Sequence, residues 1–456
     1  GAYGYYFQDE DERERAYQKG LDYHKKADEL SQETRIIESL YPVFGSHIIY
    51  GLEGTEEALT NYKKALEYAK KTKDNFIIGC ALDWLTYHSF WKMHRLEDPD
   101  EAKELLEVAV DYAKEAKQHY QQLSYISPRA DLAWTDGIDV EHLASLTHFA
   151  TDTKKKHYLM EKAVRASTET RRIAEQSGYP EAMMYALNGF SNLQATLSLT
   201  ETSQDVKKKL LEQALESAHQ GVKIGQQVEP LLYWNLGIGQ NLLSNLEFQL
   251  SELEKDPATR KHLLQEALGH KQKSIQLCTK ELAFLQTKGP VSSLYGTFGE
   301  SHYHYGILLN RSYTLDKNKQ DLKKAIEAFE DAITSYQELN LSNRIAECYW
   351  RIAQTHDMLD ENLNAAQDFN LASDNYRKSA EKTPELKKLY DDNVLYMQAW
   401  SEIEKARYHH ARQDYGSAEE HFEKAATLHK NLKQWSYLAP NYSAWAKIEH
   451  AEEQSR

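Results

Sequence analysis

The chain is 456 residues long, with 41% hydrophobic residues, 27% charged residues and a net charge of −15. That composition suits a folded chain with a large polar surface. Its acidic surplus repels nucleic-acid phosphates and anionic membrane surfaces, so neither is expected as a partner.

Residues 1–9 read as a disordered tail and residues 10–40 as a charged helix packed on the first repeat, so 1–44 forms an N-terminal tail and cap. Beyond residue 45, apolar side chains recur at helical spacing. Ala58, Tyr62 and Ala65 open the series. Ala102, Leu106 and Ala109 come next, after Asp98-Pro99, a capping aspartate before a proline at the first helical position. A loop-like stretch runs from Ser127-Pro128 to Gly137. Thr151-Asp152-Thr153, Thr202-Ser203 and Asp256-Pro257 are further helix starts. They precede segments reading MEKA, LEQA and QEALG, whose alanines are Ala163, Ala214 and Ala267. Gly289-Pro290 and the adjoining Val-Ser-Ser interrupt the pattern, which divides it into 45–288 and 289–456, two parts of one continuous array. Ala325/Phe329/Ala332, Ala365/Phe369/Ala372 and Ala418/Phe422/Ala425 complete the series.

The recurring unit is a small residue, a large one four later and an alanine three after that. Offsets of four and seven share one helical face. The small residues admit a neighbouring helix and the large one fills the gap. This pattern resembles the second helix of the tetratricopeptide repeat. The resemblance implies an all-α fold, a right-handed α-α superhelix (a tetratricopeptide-like solenoid) of about eight helix pairs. Three copies depart from the motif, with Lys156, Lys207 or Arg260 at the first small position, and read as stretched variants. The eight anchor alanines, at 65, 109, 163, 214, 267, 332, 372 and 425, are 40 to 65 residues apart. The family's period is about 34 residues, so longer helices or connections must fill the difference. Sheet is disfavoured: there are ten valines and no sustained period-two alternation.

Counting back from the anchors exposes an amide register. Asn192, Asn245 and Asn310 stand 22 residues before Ala214, Ala267 and Ala332; Asn188 and Asn241 stand 26 before the first two; Tyr185 and Tyr303 stand 29 before the first and third. Offsets of three and seven share a face of the first helix in each repeat. An asparagine amide donates and accepts at once, so a stack of them could grip the backbone of an extended peptide, or else pack between helices. First helices line the groove in tetratricopeptide-like proteins, and the resemblance implies a peptide site there. The aromatic stripe Trp84, Tyr87, His88 and Trp91, and the pair Tyr396 and Trp400, read as repeat core.

Catalytic chemistry finds little footing. Glu300, His302 and His304 are close in sequence, but a spacing of two separates the histidines by about 200° on a helix, and His409-His410 is no better placed. No HExxH or cysteine–histidine set appears, so neither a metal nor any other cofactor is expected. Gly237-Ile-Gly239 lacks a preceding strand and a third glycine, and reads as close helix packing rather than a dinucleotide loop. Cys80, Cys278 and Cys348 are odd in number and far apart, which suits a reducing, cytoplasmic setting. No apolar run approaches the roughly 20 residues of a membrane helix, and no secretory signal is visible. The expected function is a non-enzymatic scaffold that binds a protein or peptide in its groove. The alternative is a sensory or autoinhibitory module of a larger signalling protein, which the non-Met start at Gly1 would suit. Partner identity and oligomeric state are not legible.

Overall fold

The computed structural model describes residues 56–93, 98–123, 153–178, 180–227, 233–286 and 292–455, with residues 96, 139, 143 and 146 as isolated positions. The N-terminal tail and cap, the Ser127–Gly137 segment, Thr151-Asp152 and Gly289-Pro290 lie outside these residues. Among the described residues there are fifteen α-helices and no strand. The chain divides into two compact units, Gly1–Leu294 and Tyr295–Arg456.

The first unit carries α1 (Glu56–Thr72), α2 (Asn75–Met93), α3 (Pro99–Tyr120), α4 (Thr153–Ser177), α5 (Pro180–Thr200), α6 (Gln204–Gly225), α7 (Tyr233–Leu253) and α8 (Pro257–Gln286). The second unit begins within α9 (Ser292–Asp316) and continues through α10 (Lys319–Glu338), α11 (Ser342–Met358), α12 (Asn362–Lys382), α13 (Lys387–Ala411), α14 (Tyr415–Lys430) and α15 (Ala439–Gln454). Within each unit, helices pack chiefly on their sequence neighbours: α5 with α6, α6 with α7 and α7 with α8 in the first, α11 through α15 successively in the second. This is the sequential helix-pair packing of a tetratricopeptide-like helical repeat.

The alanine pattern sets the packing. All eight anchors are fully buried, and Ala214, Ala267, Ala332, Ala372 and Ala425 each fall on the second helix of a described pair. In α3, α4, α6, α8, α12 and α14 the anchor is the eleventh residue of its helix. Three residues before it a large side chain fills the gap, among them Tyr62, Leu106, Leu211, Leu264, Phe329, Phe369 and Phe422, all buried. The variant repeats therefore keep the large–small core and relax only the outer position. There Arg260 reaches back to cap the carbonyl of Glu254 at the end of α7, with Nε at 3.0 Å. Helix length accounts for much of the long period: α4 has 25 residues and α8 has 30.

Caps fix the register. The Asp98 side chain accepts from the amides of Asp100 and Glu101, and Asp256 accepts from the Thr259 amide and hydroxyl at 2.9 and 2.6 Å. Ser203 occupies the N-cap of α6 without a side-chain cap bond. In the second unit one turn recurs. The residue after a left-handed Asn340, Asp360 or Gln413 returns its amide to the carbonyl five back, as Leu341 to Tyr336, Glu361 to His356 and Asp414 to His409. Such αL closures end a helix within three residues and send the next one back along it.

The Gly237 and Gly239 positions serve close approach. A Cβ on Gly237 would lie 2.6 Å from Cys278 Sγ on α8, and one on Gly239 would lie 2.8 Å from Val222 Cγ2 on α6. No helix of the described residues is long and apolar enough to cross a membrane.

Candidate functional site

All seven residues of the amide register lie on α5, α7 and α9, the first helices of their pairs. Their side chains meet different partners. Asn188 is buried, with its Oδ1 against Gly221 of α6; a Cβ there would sit 2.9 Å from that oxygen, which has no hydrogen-bond partner. This asparagine packs between helices. Tyr185 and Asn192 are half-buried on the same helix.

Asn241 and Asn245 converge on one cation. Lys271, on α8, is fully buried, and its ammonium donates to Asn241 Oδ1 and, at 2.9 Å, to Asn245 Oδ1. A buried ammonium must be hydrogen-bonded to be tolerated, and a spacing of four on α7 places both carbonyls on the same side of that helix. The two oxygens are thereby committed. The two amide groups remain as donors on half-buried side chains.

In the second unit, Asn310 donates to the Thr355 hydroxyl at 2.8 Å, while its Oδ1 is buried without a partner. Tyr303 packs edge-on against Phe329, with ring centroids 5.7 Å apart, and its hydroxyl accepts from Arg351 Nε at 3.2 Å. Burial holds its phenol above the ordinary tyrosine range.

The register concealed a second device one residue away. Ser191 and Ser244, 23 residues before Ala214 and Ala267, each donate a hydroxyl to the carbonyl of that anchor alanine at 2.7 Å. These buried bonds tie α5 to α6 and α7 to α8. The signal was present as the repeated Ser-Asn-Leu at 191–193 and 244–246. Counting asparagines alone passed over it.

The second unit also holds a groove of about 620 Å³ on α12, α13 and α14. Its lining includes Asn370 from α12, Gln398 and Glu402 from α13, and Glu420, Glu423 and Lys424 from α14. Gln398 and Glu402 repeat the spacing of four seen in Asn188/Asn192 and Asn241/Asn245, but shifted by one residue relative to the anchor Ala425. Burial pushes the Glu402 carboxyl up, and hydrogen bonds from Lys405 at 2.6 Å and His421 at 2.7 Å more than reverse this, leaving it below the ordinary range. The Lys424 ammonium, 2.6 Å from Glu420, holds that carboxyl low as well. The groove therefore presents ionised carboxylates beside two amides.

Cys278 and Cys348 are poor nucleophiles. Burial pushes the Cys278 thiol up to about 12 and raises that of Cys348, so little thiolate forms near neutrality. His302 and His304 part company as their spacing implies. His302 is buried edge-on against Phe298, with centroids 4.6 Å apart, and His304 lies 3.9 Å from the exposed Glu300.

No family model and no curated protein matches the chain. Among solved structures, it is similar to a signal-transduction ATPase with numerous domains from Pyrococcus horikoshii, described as having a tetratricopeptide repeat sensor. That likeness has 13% identity and a TM-score of 0.40, and covers 88% of this chain and 53% of that one, so this chain spans about half the length of that protein. It is also similar to the apo form of RapI, with 11% identity and a TM-score of 0.39 over 81% of this chain and 99% of that one. Aspartyl phosphate phosphatase F from Bacillus subtilis is a third, with 13% identity and a TM-score of 0.31 over 81% and 94%. At 11–13% identity and TM-scores of 0.31 to 0.40, these likenesses assign the chain neither a family nor a role.

Proposed function

We propose that this chain is a non-catalytic helical-repeat module that binds an extended, basic segment of a protein partner. The groove on α12–α14 carries the reading. It offers the two kinds of group such a segment needs: amides for the peptide backbone at Asn370 and Gln398, and carboxylates for Lys or Arg side chains, at Glu423 directly and at Glu402 and Glu420 in exchange for their present partners Lys405, His421 and Lys424. Its volume of about 620 Å³ lies within the range of binding clefts. The net charge of −15 would speed encounter with a basic partner.

On the first unit, Tyr185 and Asn192 of α5, and Asn241 and Asn245 of α7, are the amide-register residues with side-chain surface to offer. With their oxygens given to Lys271, Asn241 and Asn245 would donate to peptide carbonyls rather than bridge both backbone groups. Asn188 belongs to helix packing, and Asn310 and Tyr303 would contribute only by exchanging their present partners Thr355 and Arg351.

The test is fluorescence anisotropy with an eight-residue peptide alternating Lys or Arg with small residues. Glu420→Lys/Glu423→Lys is compared with Glu104→Lys/Glu107→Lys, an equal charge change on the exposed face of α3. Site-specific binding requires the groove pair to lose at least tenfold in affinity while the α3 pair retains most of it. Equal losses in both would reduce the attraction to bulk charge and refute the groove.

A further inference from the structure

The α7–α8 hairpin brings together three metal-ligating side chains, two from α8 and one from α7. Glu266 and His270 stand four apart on α8 and so share a face. Glu247 projects from α7. One donor atom from each lies within 4.8 Å of the other two.

Two further observations point to a cation among them. Glu247 is 3% exposed, and its Oε2 is buried with no hydrogen-bond partner. A carboxylate oxygen shut away from water and left unpaired is costly. The second observation concerns His270. Its Nδ1 lies 2.6 Å from Gln240 Oε1, and an amide oxygen only accepts, so the ring donates from Nδ1. In the neutral imidazole this leaves a lone pair on Nε2, which stands 3.3 Å from Glu247 Oε1. Two acceptors would face each other there, and either a proton on the imidazole, which Glu247 favours, or a metal ion resolves the contact; the unpaired Glu247 Oε2 is left for the metal to satisfy. A metal-bound histidine shows this same outer contact, with the second ring nitrogen donating to a fixed oxygen that sets tautomer and orientation.

We propose that Glu247, Glu266 and His270 form a binding site for a divalent transition-metal ion, with Gln240 as the residue that orients His270. One imidazole and two carboxylates suit Zn²⁺ and its first-row neighbours, and three protein ligands leave a coordination position open. His219 of α6, whose ring stands 6.0 Å from that of His270, flanks the site and is exposed. The ion would pin α7 to α8 at the solvent side of the hairpin, since Glu266 is exposed and His270 only part-buried. The site lies within the first unit and is independent of the groove on α12–α14.

The test titrates the whole metal-free protein with Zn²⁺ against a chromophoric chelator, which reads the tightest site above weak binding by the other histidines. Co²⁺ absorption is recorded in parallel. One equivalent should bind tightly, His270→Ala should weaken that binding on the order of 100-fold, and Gln240→Leu by roughly 10- to 100-fold. Glu266→Gln is the safeguard: the residue is exposed, so its replacement leaves the core intact, and it should weaken Zn²⁺ at least tenfold. Zn²⁺ should also slow amide exchange in α7 and α8, an effect absent in Glu266→Gln. No competitive Zn²⁺ binding would mean that a proton alone fills the gap, and would overturn the site. Unchanged affinity in both His270→Ala and Glu266→Gln would place the ion elsewhere and overturn it equally.

Discussion

The buried Lys271 offers the sharpest test of what the asparagine pair does. Its ammonium is fully buried and bonded to Asn241 and Asn245. Asn241→Leu/Asn245→Leu removes both of these acceptors from the buried charge, and breaking a buried charged pair costs up to about 3–5 kcal/mol. Lys271→Met alone leaves two carbonyl oxygens unpaired, but these are half-buried and water can reach them, so that change costs about 1–2 kcal/mol. The triple variant replaces the lysine and both asparagines with apolar groups of similar size, which is commonly near neutral. It should therefore be at least ~2 kcal/mol more stable than the double variant, although it carries one more substitution. A repeat array sums local stabilities, so a global melt would blur the effect. Amide exchange across α7 and α8 reads it locally. A triple variant no more stable than the double one would refute the pairing, because Lys271 would then draw its compensation from other groups.

Glycine packing and buried titratable groups supply the other tests. Gly306→Ala would set a Cβ 2.6 Å from Phe329 Cε1, and that ring is fully buried against Tyr303; overpacking of about 1–3 kcal/mol should exceed the ~1 kcal/mol gained in helix propensity. Gly269→Ala, with nothing within 4 Å on α8, should instead stabilise by up to ~1 kcal/mol, and urea titration of both distinguishes packing from propensity. Burial pushes the Glu404 carboxyl up to about 7, with Asp357 reinforcing the rise and Arg407 opposing it. Its folded pKa lies above its unfolded one, so its contribution is whole below about pH 4.5 and is lost as pH rises through about 7. Glu404→Gln should flatten the decline in stability between about pH 4.5 and 7, and an unchanged slope would count against the assignment. His429 is fully buried, stacked on Tyr442 at 5.2 Å, and neither ring nitrogen has a partner. His429→Phe should hold or raise the melting temperature, contrary to the usual cost of a core substitution, and a loss above ~1 kcal/mol would reveal a hidden partner.

The amide register shows where sequence reading stopped. Counting back from the anchors placed five asparagines and two tyrosines on first helices, which a periodicity of about 3.6 is able to do. Which neighbour each would meet depended on residues far away: Gly221 for Asn188, Lys271 for Asn241 and Asn245, Thr355 for Asn310. Lys271 stands four residues after the anchor Ala267 and so on the core face, but a lysine there does not read as core. The groove residues Gln398 and Glu402 missed the count by one position. Ser191 and Ser244 sat beside counted residues, and their role needs the facing helix to supply a carbonyl.

The sequence by itself determined the helices, their caps and the core. Small and large residues at offsets of four and seven describe one helical face, and Asp-Pro at a helix start describes one turn, so both are local matters of a few residues. That is why all eight anchor alanines could be read in advance and all eight are buried. Tertiary structure alone decided which polar side chains face one another. Glu247 and His270 are 23 residues apart in the chain and 3.3 Å apart in space. Partnerships across a hairpin depend on the length and tilt of two helices, and no pattern along either one records them.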